Sequence, residues 1–104
     1  MDNVITLADN IYLQKYGNLR ILNIADVSAN NIHQLKLPTD SIPKEDIRTT
    51  IMLYDNSQKN YLGLIRYLIS KGYIECYGLI NYASTLTVLT NATTKISGQL
   101  IWIV

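Results

Sequence analysis

The chain predicts an all-β fold, an antiparallel, jelly-roll-like β-sandwich, and three features of its pattern carry that expectation. Apolar residues alternate with period two over several short stretches, as half-buried strands require. Turn-forming pairs stand between those stretches, Gly17-Asn18 and Lys71-Gly72 being the clearest. Residues 96–104 then run apolar to the last position through Leu100, Ile101, Trp102, Ile103 and Val104. An open sheet edge of that composition would pair with any passing strand, so this strand is expected to be paired and covered on both faces. That leaves the amino terminus as the expected attachment point.

Taken in order, residues 4–8 read as a first strand or, within 1–10, as the end of an upstream neck or stalk. Residues 11–16 alternate, Gly17-Asn18 supplies a two-residue turn whose glycine tolerates positive φ, and 19–24 return as the partner strand. Residues 26–31 read as a polar loop, 32–37 as a short strand, and 38–46 as a loop that Pro38 and Pro43 keep out of regular structure. Residues 48–54 are β-branched enough for a strand, and 55–60 form the most polar loop of the chain. A long hairpin follows, with strands over 61–70 and 73–80. If Lys71-Gly72 alone makes the turn, Ser70 opposes Tyr73, Ile69 opposes Ile74, Tyr67 opposes Cys76 and Ile65 opposes Gly78. One face is then core. The other sets Leu64, Arg66 and Leu68 against Leu79, Tyr77 and Glu75, a mixture that suits a subunit interface or a ligand groove. A three-residue turn would place Arg66 beside Cys76 and bury an unpaired charge. Residues 86–90 and the terminal strand complete seven or eight strands in a single domain spanning 1–104.

Composition narrows the function classes. A 104-residue domain buries about 65% of its unfolded surface, which makes one thin core and favours oligomerisation. The formal charge is +1 with Lys and Arg scattered, so no basic stripe addresses nucleic acid. No apolar run approaches the roughly 20 residues of a membrane span, and no membrane insertion is expected. The single Cys76 excludes an internal disulfide and a cysteine-rich metal site. Asp40, Glu45, Asp46 and Asp55 form no calcium-loop pattern, so neither metal nor cofactor is expected. Eight tyrosines and no phenylalanine put flat aromatic bodies with polar tips where half-wet surfaces are needed.

The order Tyr16-Gly17-Asn18 before an apolar strand, then Leu37-Pro38 and Ile42-Pro43, then Ser70-Lys71-Gly72 with Gly78, then a terminal apolar strand, resembles the carboxyl-terminal head domains of siphophage receptor-binding proteins. The likeness is to lactococcal baseplate heads and related tail-fibre tips, and it covers nearly the whole chain. It implies a homotrimer in the virion, joined to other tail or baseplate proteins through an amino-terminal attachment. It also implies binding of a saccharide of the bacterial cell envelope in a groove near the subunit boundary. In those heads some groove residues lie on the strand before the turn. Here that strand offers Tyr61, Arg66 and Tyr67, while Ile65 stands where the likeness would place a polar group.

Sugars are held by an aromatic ring against their C–H face and by planar side chains that bond pairs of hydroxyls. Tyr61, Tyr73 and Tyr77 supply the first, and Arg66, Glu75, Asn56, Gln58 and Asn60 the second. Each has a plainer role beside it. An Asn/Gln-rich stretch such as 56–60 is more often a solvated turn, and Arg66 with Glu75 also reads as a cross-strand ion pair at a trimer boundary. Tyr67, Cys76 and Trp102 are expected in the core, and His33 is expected as a surface or loop residue and not as a base. The triplet Asn91-Ala92-Thr93 matches a glycosylation sequon that a bacterial host does not use. A depolymerase would set two acids across a groove, and Glu75 has no evident acidic partner, so the expectation is host recognition without catalysis. The alternative is a structural trimeric tip or decoration protein whose Arg66 face is consumed by packing.

Overall fold

The computed structural model describes residues 3–54, 60–79 and 86–104. The chain is all-β and antiparallel. Among the described residues the strands are eight: β1 (Val4–Ala8), β2 (Ile11–Tyr16), β3 (Leu19–Ser28), β4 (Ile47–Tyr54), β5 (Asn60–Leu68), β6 (Tyr73–Leu79), β7 (Leu86–Val88) and β8 (Lys95–Ile103). They lie in the order β1-β2-β3-β8-β4-β5-β6-β7, so two meanders are joined by the last strand. Limb one is β1, β2, β3 and β8; limb two is β4 to β7. The joint between them is short, with Met52, Leu53 and Tyr54 paired to Ser97, Ile96 and Lys95.

The two limbs close over one core and give a sandwich-like body 17 Å across its thinnest dimension. Ile11, Leu13, Leu22, Ile96, Leu100 and Trp102 come from limb one, and Ile51, Leu53, Ile65, Tyr67, Ile74 and Cys76 from limb two. Tyr67, Cys76 and Trp102 are therefore core residues, as their positions in the pattern suggest. Leu53 lies fully buried in a slot made by the directly paired Gly63 and Gly78. A Cβ on Gly63 would come within 2.5 Å of both the Leu53 side chain and the Tyr77 carbonyl oxygen, so only glycine fits there. A second closure forms behind β3. A single helical turn, α1 (Ala29–Ile32), leads to Leu35, whose backbone pairs with Ile74 of β6.

Several local expectations are revised. The Gly17-Asn18 hairpin forms as predicted, with Tyr16 opposite Leu19, and residues 4–8 form an edge strand. β3, however, runs four residues past Ile24 through a bulge. Asp26 adopts φ +56°, and its N–H donates to the Ser97 hydroxyl at 2.9 Å, so of the residues read as a polar loop 26–28 stay in the sheet and 29–31 enter α1. The strand expected over 32–37 is instead α1 and an isolated bridge, because Ala29 and Ile32 are buried with helical i, i+3 spacing. The 38–46 segment carries one 3₁₀ turn, Thr39–Ser41. It is pinned to β3 and β8 by Arg20 Nε donating to Ser41 Oγ (2.9 Å) and Trp102 Nε1 donating to the Ser41 carbonyl (2.8 Å).

The central hairpin turns over four residues, 69–72, rather than two. The Leu68 carbonyl accepts from Lys71 N and Gly72 N, Gly72 takes φ +76°, and the Ile69 N–H donates to the Asp46 carboxylate at 2.8 Å. The register moves by two, so Tyr67 opposes Ile74, Ile65 opposes Cys76 and Gly63 opposes Gly78. An even shift leaves every side chain on its predicted face. The terminal strand is paired on both edges and its inner side is buried, but its outer side is open, with Ile101 55% and Ile103 59% exposed.

Candidate functional site

The shifted register places Arg66 directly opposite Glu75 on the outer face of limb two, with Leu64 opposite Tyr77 and Leu68 opposite Tyr73. Four side chains converge there. Arg66 Nη2 donates to the Tyr77 hydroxyl, and its guanidinium carbon lies 4.2 Å from the centre of the Tyr77 ring. The Tyr77 hydroxyl donates to Glu75 Oε1 at 3.0 Å. Lys71 Nζ, from the turn, donates to both carboxylate oxygens at 3.1 and 3.3 Å. Arg66 Nη2 completes the cluster as an ion pair 3.6 Å from Glu75 Oε1.

Burial divides these residues by role. Glu75 and Tyr77 are 4% and 8% exposed, whereas a quarter of the Arg66 side chain remains open. Burial pushes the Glu75 carboxyl up, but the hydrogen bonds from Lys71 and Tyr77 and the charges of Lys71 and Arg66 outweigh it and hold the group below its ordinary value. The hydrogen bond to Glu75 raises Lys71 in turn. Burial, reinforced by the hydrogen bond to Glu75 and its negative charge, raises the Tyr77 hydroxyl. Glu75 is thus an anion satisfied within its own chain, and Tyr77 passes that anchorage on to Arg66. The Arg66 Nε finds no acceptor among the described residues.

The other predicted site residues are placed unevenly. Tyr73 shares this face, half-buried, opposite Leu68. The backbones of Asn60 and Tyr61 pair with Tyr54 and Leu53. Asn56 and Gln58 lie outside the described residues. Lys71, treated in sequence as a turn residue only, belongs to the cluster; its spacing four residues before Glu75 was the available signal. Sequence reasoning also passed over Met52 and Leu62, which pair across β4 and β5 on this face and are 48% and 60% exposed. Arg48 lies directly opposite Arg66 on the same face.

Elsewhere, Cys76 is fully buried and desolvation pushes its thiol up to about 12, which leaves it protonated and inert. His33 caps the end of α1, with its Nδ1 buried and unbonded among the described residues. An open groove of about 310 Å³ lies between the 43–47 segment and the Trp102–Ile103 end of β8. Asn91 Oδ1 accepts from Thr94 N at 2.9 Å and closes a local turn. Among the described residues no three His, Cys, Asp or Glu side chains converge as a metal site would need. No protein-family model, curated protein or solved structure matches the chain.

Proposed function

We propose that this chain is a non-catalytic host-recognition head, carried as a homotrimer on a phage tail tip or baseplate, that binds a saccharide of the bacterial cell envelope beside Arg66. The observation supporting this reading is the state of that guanidinium. It lies over the Tyr77 ring, is tied through Tyr77 to a hydrogen-bonded carboxylate, and is still one-quarter open. A planar fork held in one orientation loses little entropy when it bonds two neighbouring hydroxyls of a sugar. Glu75, Tyr77 and Lys71 act as holders, and the half-buried Tyr73 and Leu68 flank the fork with apolar surface. Glu75 faces cations and a phenol with no second carboxylate in the cluster, which supports recognition over glycoside hydrolysis. Weak single sites repeated on a trimer, and over many trimers, give firm attachment through effective concentration.

Titration of purified envelope polysaccharides against the protein tests the site. Binding by the wild type, lost at least tenfold in Arg66→Ala and also weakened in Arg66→Lys, where the fork is gone but the charge remains, is the expected result. Equal binding by Arg66→Ala removes Arg66 from the site. A second reading, a structural tip or decoration protein without a ligand, is favoured by the exposed Met52–Leu62 pair. Those apolar side chains suit contact with another particle protein better than contact with a sugar. Absence of binding to any envelope glycan would select it.

A further inference from the structure

The outer face of β2, β3 and β8 differs in kind from the outer face of limb two. Cross-strand pairing brings Tyr12, Asn23 and Gln99 into one row, Gln14, Ile21 and Ile101 into the next, and Tyr16, Leu19 and Ile103 into a third. No position in those rows is charged. Tyr16, Ile101 and Ile103 are all more than half exposed. The side-chain amides form a lateral ladder, with Asn23 Nδ2 donating to Gln14 Oε1 (2.7 Å) and Gln99 Nε2 donating to Asn23 Oδ1 (2.6 Å). The nearest cations are engaged elsewhere: Lys15 bonds Asp40 at 2.5 Å, and Arg20 is buried beneath the 38–41 turn.

We infer that this face turns toward the threefold axis of the homotrimer proposed above, where it packs against the same face of the other copies of the chain. The inference rests on the oligomeric part of that reading and not on its saccharide part. Charge decides the occupant. Depletion of charged residues with retained aromatic and branched apolar side chains is the composition of an interface centre. A partner patch carrying charges would lose its hydration here and meet no counter-charge. Among the described residues the other candidate face, on limb two, carries Arg48, Arg66 and Lys71, so the matching uncharged surface is this face itself. The amide ladder fits the same occupant, because each primary amide keeps an unused N–H that a symmetry-related ladder can accept. Tyr12, Tyr16 and the amides would also suit a sugar, but Ile101 and Ile103 offer hydroxyls nothing to bond.

Light scattering of the whole chain, wild type against an Ile101→Lys/Ile103→Lys variant, tests the inference, with circular dichroism to check that the variant folds. The expected result is an oligomeric wild type and a folded variant that associates at least about 100-fold more weakly. If the lysine variant does not fold, Ile101→Thr/Ile103→Thr keeps β propensity, and its mass decides in the same way. An oligomeric wild type with unchanged variant mass overturns this face while leaving the oligomer standing. A wild type that stays monomeric at high concentration overturns both. Loss of polysaccharide binding in a Tyr12→Ala/Tyr16→Ala variant of such a monomer assigns the face to sugar instead.

Discussion

The outer faces of the two limbs are written in the same period-two pattern and end in opposite states. On limb two, Glu75 and Tyr77 occupy outward positions yet are almost fully covered, because Arg66 and Lys71 reach across them and satisfy the carboxylate. On limb one, Ile101 and Ile103 stay open, and the amides bond sideways to one another and, from Gln14, to the Tyr16 hydroxyl. Alternation assigns a side chain to a face, but it does not decide whether that face is dry. Long cationic side chains can dry a face from within the subunit by laying their stems over it. On limb one the outer-face lysine, Lys95, bonds the Ser28 hydroxyl at the far end of β8, and Ile101 and Ile103 stay uncovered.

The comparison can be broken from below. Leu53→Ala, in the core that both faces share, should cost about 3 kcal/mol in denaturant unfolding, since the Gly63–Gly78 slot cannot collapse around the cavity. An effect under about 1 kcal/mol would mean that the limbs do not pack as one body. Glu75→Ala should cost about 2 kcal/mol, because it strips the acceptor from Tyr77 and leaves Arg66 and Lys71 without their anion; the value is held down by the partial exposure of both cations. A near-neutral result would reduce the cluster to a surface ion pair.

Acid sharpens the same contrast. The carboxyl of Glu75 lies below its ordinary value of 4.5 in the folded chain, so its contribution is present above that value and lost as pH falls through the folded one. Thermal melts should therefore show a drop in Tm below about pH 4.5 that is reduced in Glu75→Gln; an unchanged acid limb would assign the drop to other carboxylates. The smallest effect belongs to limb one. Asn23→Ala should change the stability of the isolated subunit by no more than about 0.5 kcal/mol, since water replaces the lost ladder bonds. A cost above about 1.5 kcal/mol would show that the ladder is a structural element of the subunit and not an open surface.

Much of the fold was legible in the chain. The strands over 11–16, 48–54 and the terminal run, the Gly17-Asn18 turn, and the core positions of Tyr67, Cys76 and Trp102 all follow from local pattern. The grouping of Arg66, Glu75 and Tyr77 was also legible, and it survived a register error because the error was even. What failed was non-local. The turn takes four residues with Asp46, twenty-three positions away, accepting from Ile69 N–H, and nothing near Lys71-Gly72 announces that partner. The helical turn at 29–32 forms where Ala29 and Asn30 N–H groups find the Thr94 and Asn91 carbonyls, contacts that period two cannot foresee.

Period and turn chemistry act over a few residues, so the amino-acid order was enough to assign the class, most of the strands and the face of each side chain on them. Register, the insertion of β8 between β3 and β4, and the drying of Glu75 against the openness of Ile101 depend on which distant groups meet. Those meetings are settled by the requirement that buried hydrogen-bonding groups be paired and the two limbs share one close-packed core, conditions that only the assembled chain can satisfy.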